Sequence, residues 1–323
     1  MQMKNLFTKQ KMMRTVLLSL VPVTLAAVFL FGWRVIPLML VAIVAACVSE
    51  YLVMRTIQKE KTKISEAALV SAVLFTLTLP PDTPFWVAVI GIVFGIVFGK
   101  TVFGGFGRNI FNPALVGRCF IYIAFPAQMT MLWPQPFTAL PGGFAAWMPL
   151  ATDAVSSVTP LIALGKGLET PALIDMLLGF VAGSLGETSA ILIALCGVYL
   201  VYRKVASWQI MVSTVVSAFL LSAVLFYTGV STADPVFTVL SGGLMFGAVF
   251  MATDPISAPK LKPVQWVYGV LIGLFTVIIR IFGLFTEGMM FAILIANALT
   301  PLMELKHKQY TDKAKKKTAE VAA

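Results

Sequence analysis

The residues best equipped for chemistry stand in three short polar segments, each set between long apolar runs. The first is Ala151-Thr152-Asp153-Ala154-Val155-Ser156-Ser157-Val158-Thr159-Pro160-Leu161, where the hydroxyls of Thr152, Ser156, Ser157 and Thr159 crowd towards a proline. A hydroxyl there can be esterified, or the segment can be a polar loop of ordinary Ser/Thr/Asp/Pro composition. The second, Gly104-Gly105-Phe106-Gly107-Arg108-Asn109-Ile110-Phe111-Asn112-Pro113-Ala114, joins helix-breaking glycines to two asparagine amides. Pro113 suits the first turn of a new helix, and the amides suit capping its free backbone groups. The third, Phe250-Met251-Ala252-Thr253-Asp254-Pro255-Ile256-Ser257-Ala258-Pro259, carries one carboxylate. With Glu187 and Glu50, Asp254 is an acid at or near membrane depth, where ionisable groups are costly and mark ion or proton pathways. Asp254 can equally serve a turn before Pro255. Glu50, late in its apolar run, can sit at an interface and be solvated.

The elements that must position these groups are membrane helices. The chain has 323 residues, 59% of them hydrophobic and 12% charged. Its apolar runs are continuous and repeatedly approach the ~20 residues that cross a bilayer. An alternating β-barrel pattern is absent. The class is an all-α polytopic membrane protein, with about ten transmembrane helices. A cytoplasmic segment 1–13 precedes a single transmembrane domain 14–303, and a basic cytoplasmic tail 304–323 follows. Within the domain, a first half 14–132 and a second half 172–303 flank an outer loop 133–171. The amino end is read as a retained helix, since a second apolar span follows at once and no cleavage site closes the first. With both ends inside, 21 of the 24 Lys and Arg fall on the cytoplasmic side, which places the Thr159 loop outside. The net charge of +10 is thus topogenic, with no nucleic-acid partner implied. Cys47, Cys119 and Cys196 lie too far apart for a metal or iron–sulfur motif within this chain. His307 sits in the basic tail and has no catalytic role.

Each half contains a short apolar run (67–79 and 172–181) and a longer glycine-bearing run that ends in a proline break, Asn112-Pro113 or Asp254-Pro255. Five spans per half make a five-plus-five inverted repeat with short broken helices, the arrangement that locates a midplane site. Glycines at 91, 95 and 99 lay a groove along one helix face for close packing.

The three segments, in this order and between these spans, resemble two homologous families. These are the D subunit of the Rnf-type ferredoxin:NAD+ oxidoreductase complex and the B subunit of the sodium-translocating NADH:quinone reductase. The first apolar span starts within some fifteen residues of the amino end, a length that favours the Rnf type. The resemblance implies a covalent flavin mononucleotide (FMN), joined through its phosphate to Thr159. Asp153 and Ser156 match the attachment motif, and Ser157 and Val158 depart from its usual Gly-Ala. It also implies non-covalent riboflavin near Asn109 and Asn112. Arg108 and Arg118 could attract a flavin phosphate or follow the inside-positive bias, which is the reading preferred for Arg118.

On this resemblance the protein is an electron-transferring subunit of an ion-translocating complex, not catalytic alone. Electrons pass from the outer flavin to riboflavin near the cytoplasmic face, coupled to Na+ or H+ movement. The implied partners are the flavoprotein G of such a complex, its NAD- and ferredoxin-handling subunits, its small A and E membrane subunits, and membrane lipid. Two alternatives stand beside it: the quinone-reductase B subunit, and a channel for a small polar solute built on a urea-transporter-like layout. Nucleotide-binding glycine loops and hydrolase triads do not occur.

Overall fold

The computed structural model describes residues 7–58, 63–130, 133–149, 158–187, 189–283, 285 and 287–322. It is helical almost throughout. Helices α1 (Lys11–Phe31) and α2 (Val35–Gln58) open the chain. They turn at Gly32, whose φ of +89° brings its backbone against the carbonyls of Ala146 and Trp147. The N–H groups of Trp33 and Arg34 donate to those same two carbonyls at 3.0 Å, so part of the expected outer loop folds down onto this turn.

A short helix α3 (Glu66–Leu77) follows, buried on nearly every side. Its carboxyl end is not left bare. The Leu77 and Leu79 carbonyls accept from the backbone N–H groups of Gly186 and Leu185, from the polar break of the second half. The Arg34 guanidinium donates to the carbonyls of Pro81 and Thr83 in the break after α3. Irregular backbone at this depth survives because protein groups satisfy it.

Helix α4 (Phe85–Ile96) passes into a π turn, Val97–Thr101, and α5 (Pro113–Ala124) begins after the glycine-rich segment. A Cβ on Gly91, Gly95 or Gly99 would collide with Ile121, with Gly117 or with Pro113, respectively, so the glycine groove does receive α5. The first half's last apolar run is not one helix: α5 ends at Ala124, and a separate helix α6 (Pro126–Thr130) starts at a proline.

The second half runs through α7 (Pro160–Gly165), α8 (Leu173–Leu178), α9 (Ala190–Tyr202), α10 (Trp208–Tyr227), α11 (Pro235–Leu240) and α12 (Leu244–Phe246). A second π turn, Gly247–Met251, follows α12. Helices α13 (Lys262–Phe282) and α14 (Gly288–Ala322) close the chain. The longer glycine-bearing run of the second half, which ends at Asp254-Pro255, is therefore no continuous helix, because Ser241-Gly242-Gly243 interrupts it. The basic tail continues α14 as helix to Ala322. Against α10, the Gly269 and Gly273 face of α13 packs on Ser213 and Ser217.

Five helices (α1, α2, α10, α13 and α14) are long and apolar enough to cross a membrane uninterrupted. Four shorter apolar stretches, 66–77, 85–101, 113–124 and 190–202, complete the apolar framework among the described residues. The protein is a multi-pass helical membrane protein. A two-residue parallel strand pair, β1 (Phe7–Thr8) with β2 (Ile64–Ser65), ties the amino end to the start of α3 and was not foreseen from sequence.

Candidate functional site

Thr159 is the N-cap of α7, with Pro160 at the first helical position, where a missing N–H is harmless. Its carbonyl accepts from the Ala163 N–H at 2.9 Å. Its side chain makes no capping bond, so the half-buried hydroxyl is not consumed by the helix. Thr159 lines a narrow cleft shared with Ser184, Glu187, Ser241, Gly242 and Glu287.

The wall of this cleft is charged. Arg118, in the middle of α5 and 3% exposed, donates to Glu187 Oε1 at 2.7 Å and to Glu287. Arg118 is therefore no peripheral charge of the inside-positive kind. It is a buried cation held by two carboxylates, the arrangement that makes burial of charge tolerable. Glu187 is likewise enclosed, and pairs with Arg118. Glu287 stands in the connection between α13 and α14. Its carboxyl is raised to about 7, the net of burial, which raises it most, Arg118, which lowers it, and the neighbouring Glu187, which raises it. Arg280 of α13 lies beside the same group and donates to the carbonyls of Thr238, at 2.7 Å, and Ser241, at 3.0 Å.

A second narrow cleft is lined by Ser71, Lys100, Asn109, Asn112 and Asp254 among others. The sequence pair Asn109 and Asn112 is thus brought together, with both amides also engaged by backbone. Asn112 Oδ1 accepts from the Ala114 N–H at 3.0 Å and caps α5. Its Nδ2 donates to the Met251 carbonyl at 3.4 Å, which links the start of α5 to the second π turn. Asn109 Nδ2 donates to the Phe111 carbonyl at 3.1 Å. Asp254 accepts from the Ser257 N–H at 3.2 Å and hydroxyl at 2.7 Å, as the turn reading requires, while still lining the cleft.

Behind this cleft lies a buried ion pair. Lys100, in the first π turn and 1% exposed, sits 2.8 Å from Glu50 Oε1 and donates to Ser65 Oγ at 2.5 Å. Ser65 in turn donates to Glu50 through its hydroxyl at 2.9 Å and its N–H at 3.2 Å. Glu50 is 2% exposed, so of its two sequence readings the solvated interfacial acid does not hold. Among the remaining expected site residues, Arg108 is exposed, with its stem over Gly104. Asp153 and Ser156 lie outside the described residues.

A model of the NQR2, RnfD, RnfE family matches residues 2–312. The chain belongs to that family. Among its relatives is the B subunit of the Na(+)-translocating NADH-quinone reductase of Pseudomonas paraeruginosa, 41% identical over 251 residues, 75% of this chain and 60% of that one. The corresponding protein of Azotobacter vinelandii is 40% identical over 251 residues, with shares of 76% and 60%. That of Yersinia pestis is 39% identical over 253 residues, with the same shares. The chain thus spans about 60% of the length of these curated relatives. Membership bears out the resemblance read from the three polar segments. The relatives carry the quinone-reductase name, so they favour that branch of the family over the Rnf branch that length suggested.

Sequence reasoning missed Lys100 and Glu287 as site residues, and the role of Arg280. Lys100 ends an apolar run, where a lysine reads as an interfacial charge. Only the π turn, which re-aims one residue of the helix, reveals that it points inward. Glu287 was concealed in a five-residue connection between two apolar runs, Gly283 to Glu287, where a lone acid reads as a loop charge.

Proposed function

We propose that this chain is a flavin-carrying membrane subunit of a redox-driven cation-translocating oxidoreductase of the NADH:quinone type. FMN is held by a phosphoester at Thr159, and riboflavin by the cleft of Asn109 and Asn112. The observation that carries the reading is the Thr159 hydroxyl, free of capping duty on a cleft walled by Glu187, Glu287 and Ser184. A phosphoester needs an accessible hydroxyl with no competing bond, and among the described residues this position supplies one. The asparagine cleft fits less completely. Each amide spends one N–H on backbone, leaving the second N–H and acceptor lone pairs for ribityl hydroxyls or a ring edge. Bound at these places, flavin supplies the electron-transfer chemistry, and the protein supplies placement and charge.

The five-plus-five inverted repeat is part of this proposal. It is supported by two matching units, each a short helix, a break and a helix that ends in a π turn: α3 with α4, and α11 with α12. Both π turns are closed by a threonine back-bonded to its own helix, Thr101 to the Val97 carbonyl at 3.0 Å and Thr253 to that of Val249 at 2.5 Å. Both termini are placed on the cytoplasmic side and Thr159 outside, in accord with the distribution of Lys and Arg. Glu50, Glu187 and Asp254 form the ion pathway in this reading. A cation reaching Glu50 must exchange with the Lys100 ammonium, which keeps the path closed at rest.

The purified complex containing this chain tests the assignment. The expected result is NADH-dependent quinone reduction stimulated by Na+. Ferredoxin-dependent NAD+ reduction without quinone turnover moves the chain to the Rnf branch. Solute flux through a flavin-free protein moves it to the channel class.

A further inference from the structure

We infer that Arg280 is the counter-cation for the phosphate on Thr159, a positioning residue for the flavin. This rests on the Thr159 reading above and extends it to a group of the second half. A phosphodiester carries one negative charge, and placing it in a cleft already walled by two carboxylates requires a cation that is not otherwise spent. Arg118 is spent on Glu187 and Glu287. Arg280 makes no such contact: its two Nη groups donate to neutral carbonyls. No carboxylate stands within ion-pair distance of it among the described residues. It feels Glu187 and Glu287 only at longer range, so two arginines balance two carboxylates and an added phosphate would be the one charge without a partner. Its Nε is buried, and among the described residues it has no hydrogen-bond partner. An unused donor on a guanidinium free of direct carboxylate contact points to that anion.

Its place is right for that anion. A Cβ added at Gly242 would lie 2.9 Å from Leu161 Cδ1 and 3.0 Å from Arg280 Nη2. Only a glycine, then, separates the guanidinium from the first turn of α7, two residues past Thr159. Gly242, Leu161 and Thr159 line one cleft. Any side chain at Gly242 would fill the space through which Arg280 meets that cleft.

The competing role is purely structural, since Arg280 also covers the carbonyls at the end of α11, as Arg34 does for those after α3. The full chain, prepared with and without coexpressed flavin transferase, separates the two roles through its thermal midpoint in detergent. Arg280→Gln and Arg280→Lys are compared in both preparations. A counter-cation predicts that Arg280→Gln lowers the midpoint by roughly 2–4 °C more in the flavinylated protein than in the unmodified one. Arg280→Lys, which keeps the charge but loses the fork, costs the same in both. Equal losses for Arg280→Gln in both preparations overturn the inference and leave Arg280 as a cap. Should Arg280→Gln fail to accept flavin, Arg280→Lys decides. Normal flavin content in the lysine variant upholds the role of charge, and its loss there too overturns it. Absence of covalent flavin from the unsubstituted chain is read directly from flavin fluorescence of the denatured protein in a gel, and refutes the Thr159 reading instead.

Discussion

At the scale of single residues, the molecule is defined by charges enclosed among apolar helices. Lys100 and Glu50 are each almost wholly buried and satisfy one another through a 2.8 Å contact and a shared serine. Replacing a buried pair with apolar groups is often tolerable, whereas removing one partner strands a charge at about 3–5 kcal/mol. Lys100→Met is accordingly expected to lower the melting midpoint in detergent sharply, and Lys100→Met combined with Glu50→Gln to recover much of the loss. A single variant that melts with the parent chain would show that the pair does not exist. Arg118 follows the same logic with two carboxylates. Sequence alone could name Glu50 and Glu187, since acids in apolar runs stand out by type. It could not name their partners, because pairing joins residues 50 and 69 positions apart through the packing of several helices.

At the scale of elements, what was legible was whatever periodicity and helix breaking control. The glycine groove on α4, the start of α5 at Pro113 and the long spans α1, α2, α10 and α13 follow from local composition. What was not legible was where an apolar run stops being one helix. Residues 236–252 are apolar enough to read as a span, yet Ser241-Gly242-Gly243 opens the helix there, because Arg280 and the packed second half satisfy the freed carbonyls. The parallel strand pair at Phe7–Thr8 and Ile64–Ser65 is too short to leave a sequence pattern. The groove makes its own prediction. A Cβ at Gly95 meets Gly117 and Pro113 backbone, while one at Gly165 meets nothing within 4 Å. Gly95→Val is expected to cost about 1–3 kcal/mol by overpacking, and Gly165→Ala to be neutral, as read by melting in detergent. Equal stability of the two variants would contradict the close approach of α4 and α5.

For the whole molecule, two broken units and two clefts place a hydroxyl at one and an asparagine pair at the other. Of this arrangement, the polar segments and the family resemblance were readable beforehand, because each motif is contiguous. The enclosure of the Thr159 cleft by Arg118, Glu187 and Glu287 was not, since it assembles α5, the break before α9 and the connection before α14. Length pointed to the Rnf branch, whereas the relatives of about 40% identity favour quinone reductase. The central claim is that Thr159 carries a covalent flavin. It is tested most directly by in-gel fluorescence of the denatured chain beside Thr159→Ala, both coexpressed with a flavin transferase and inserted in the membrane. The account predicts fluorescence that survives denaturation in the parent chain and vanishes in the variant. A dark parent band despite an active transferase, or fluorescence retained by Thr159→Ala, would contradict it.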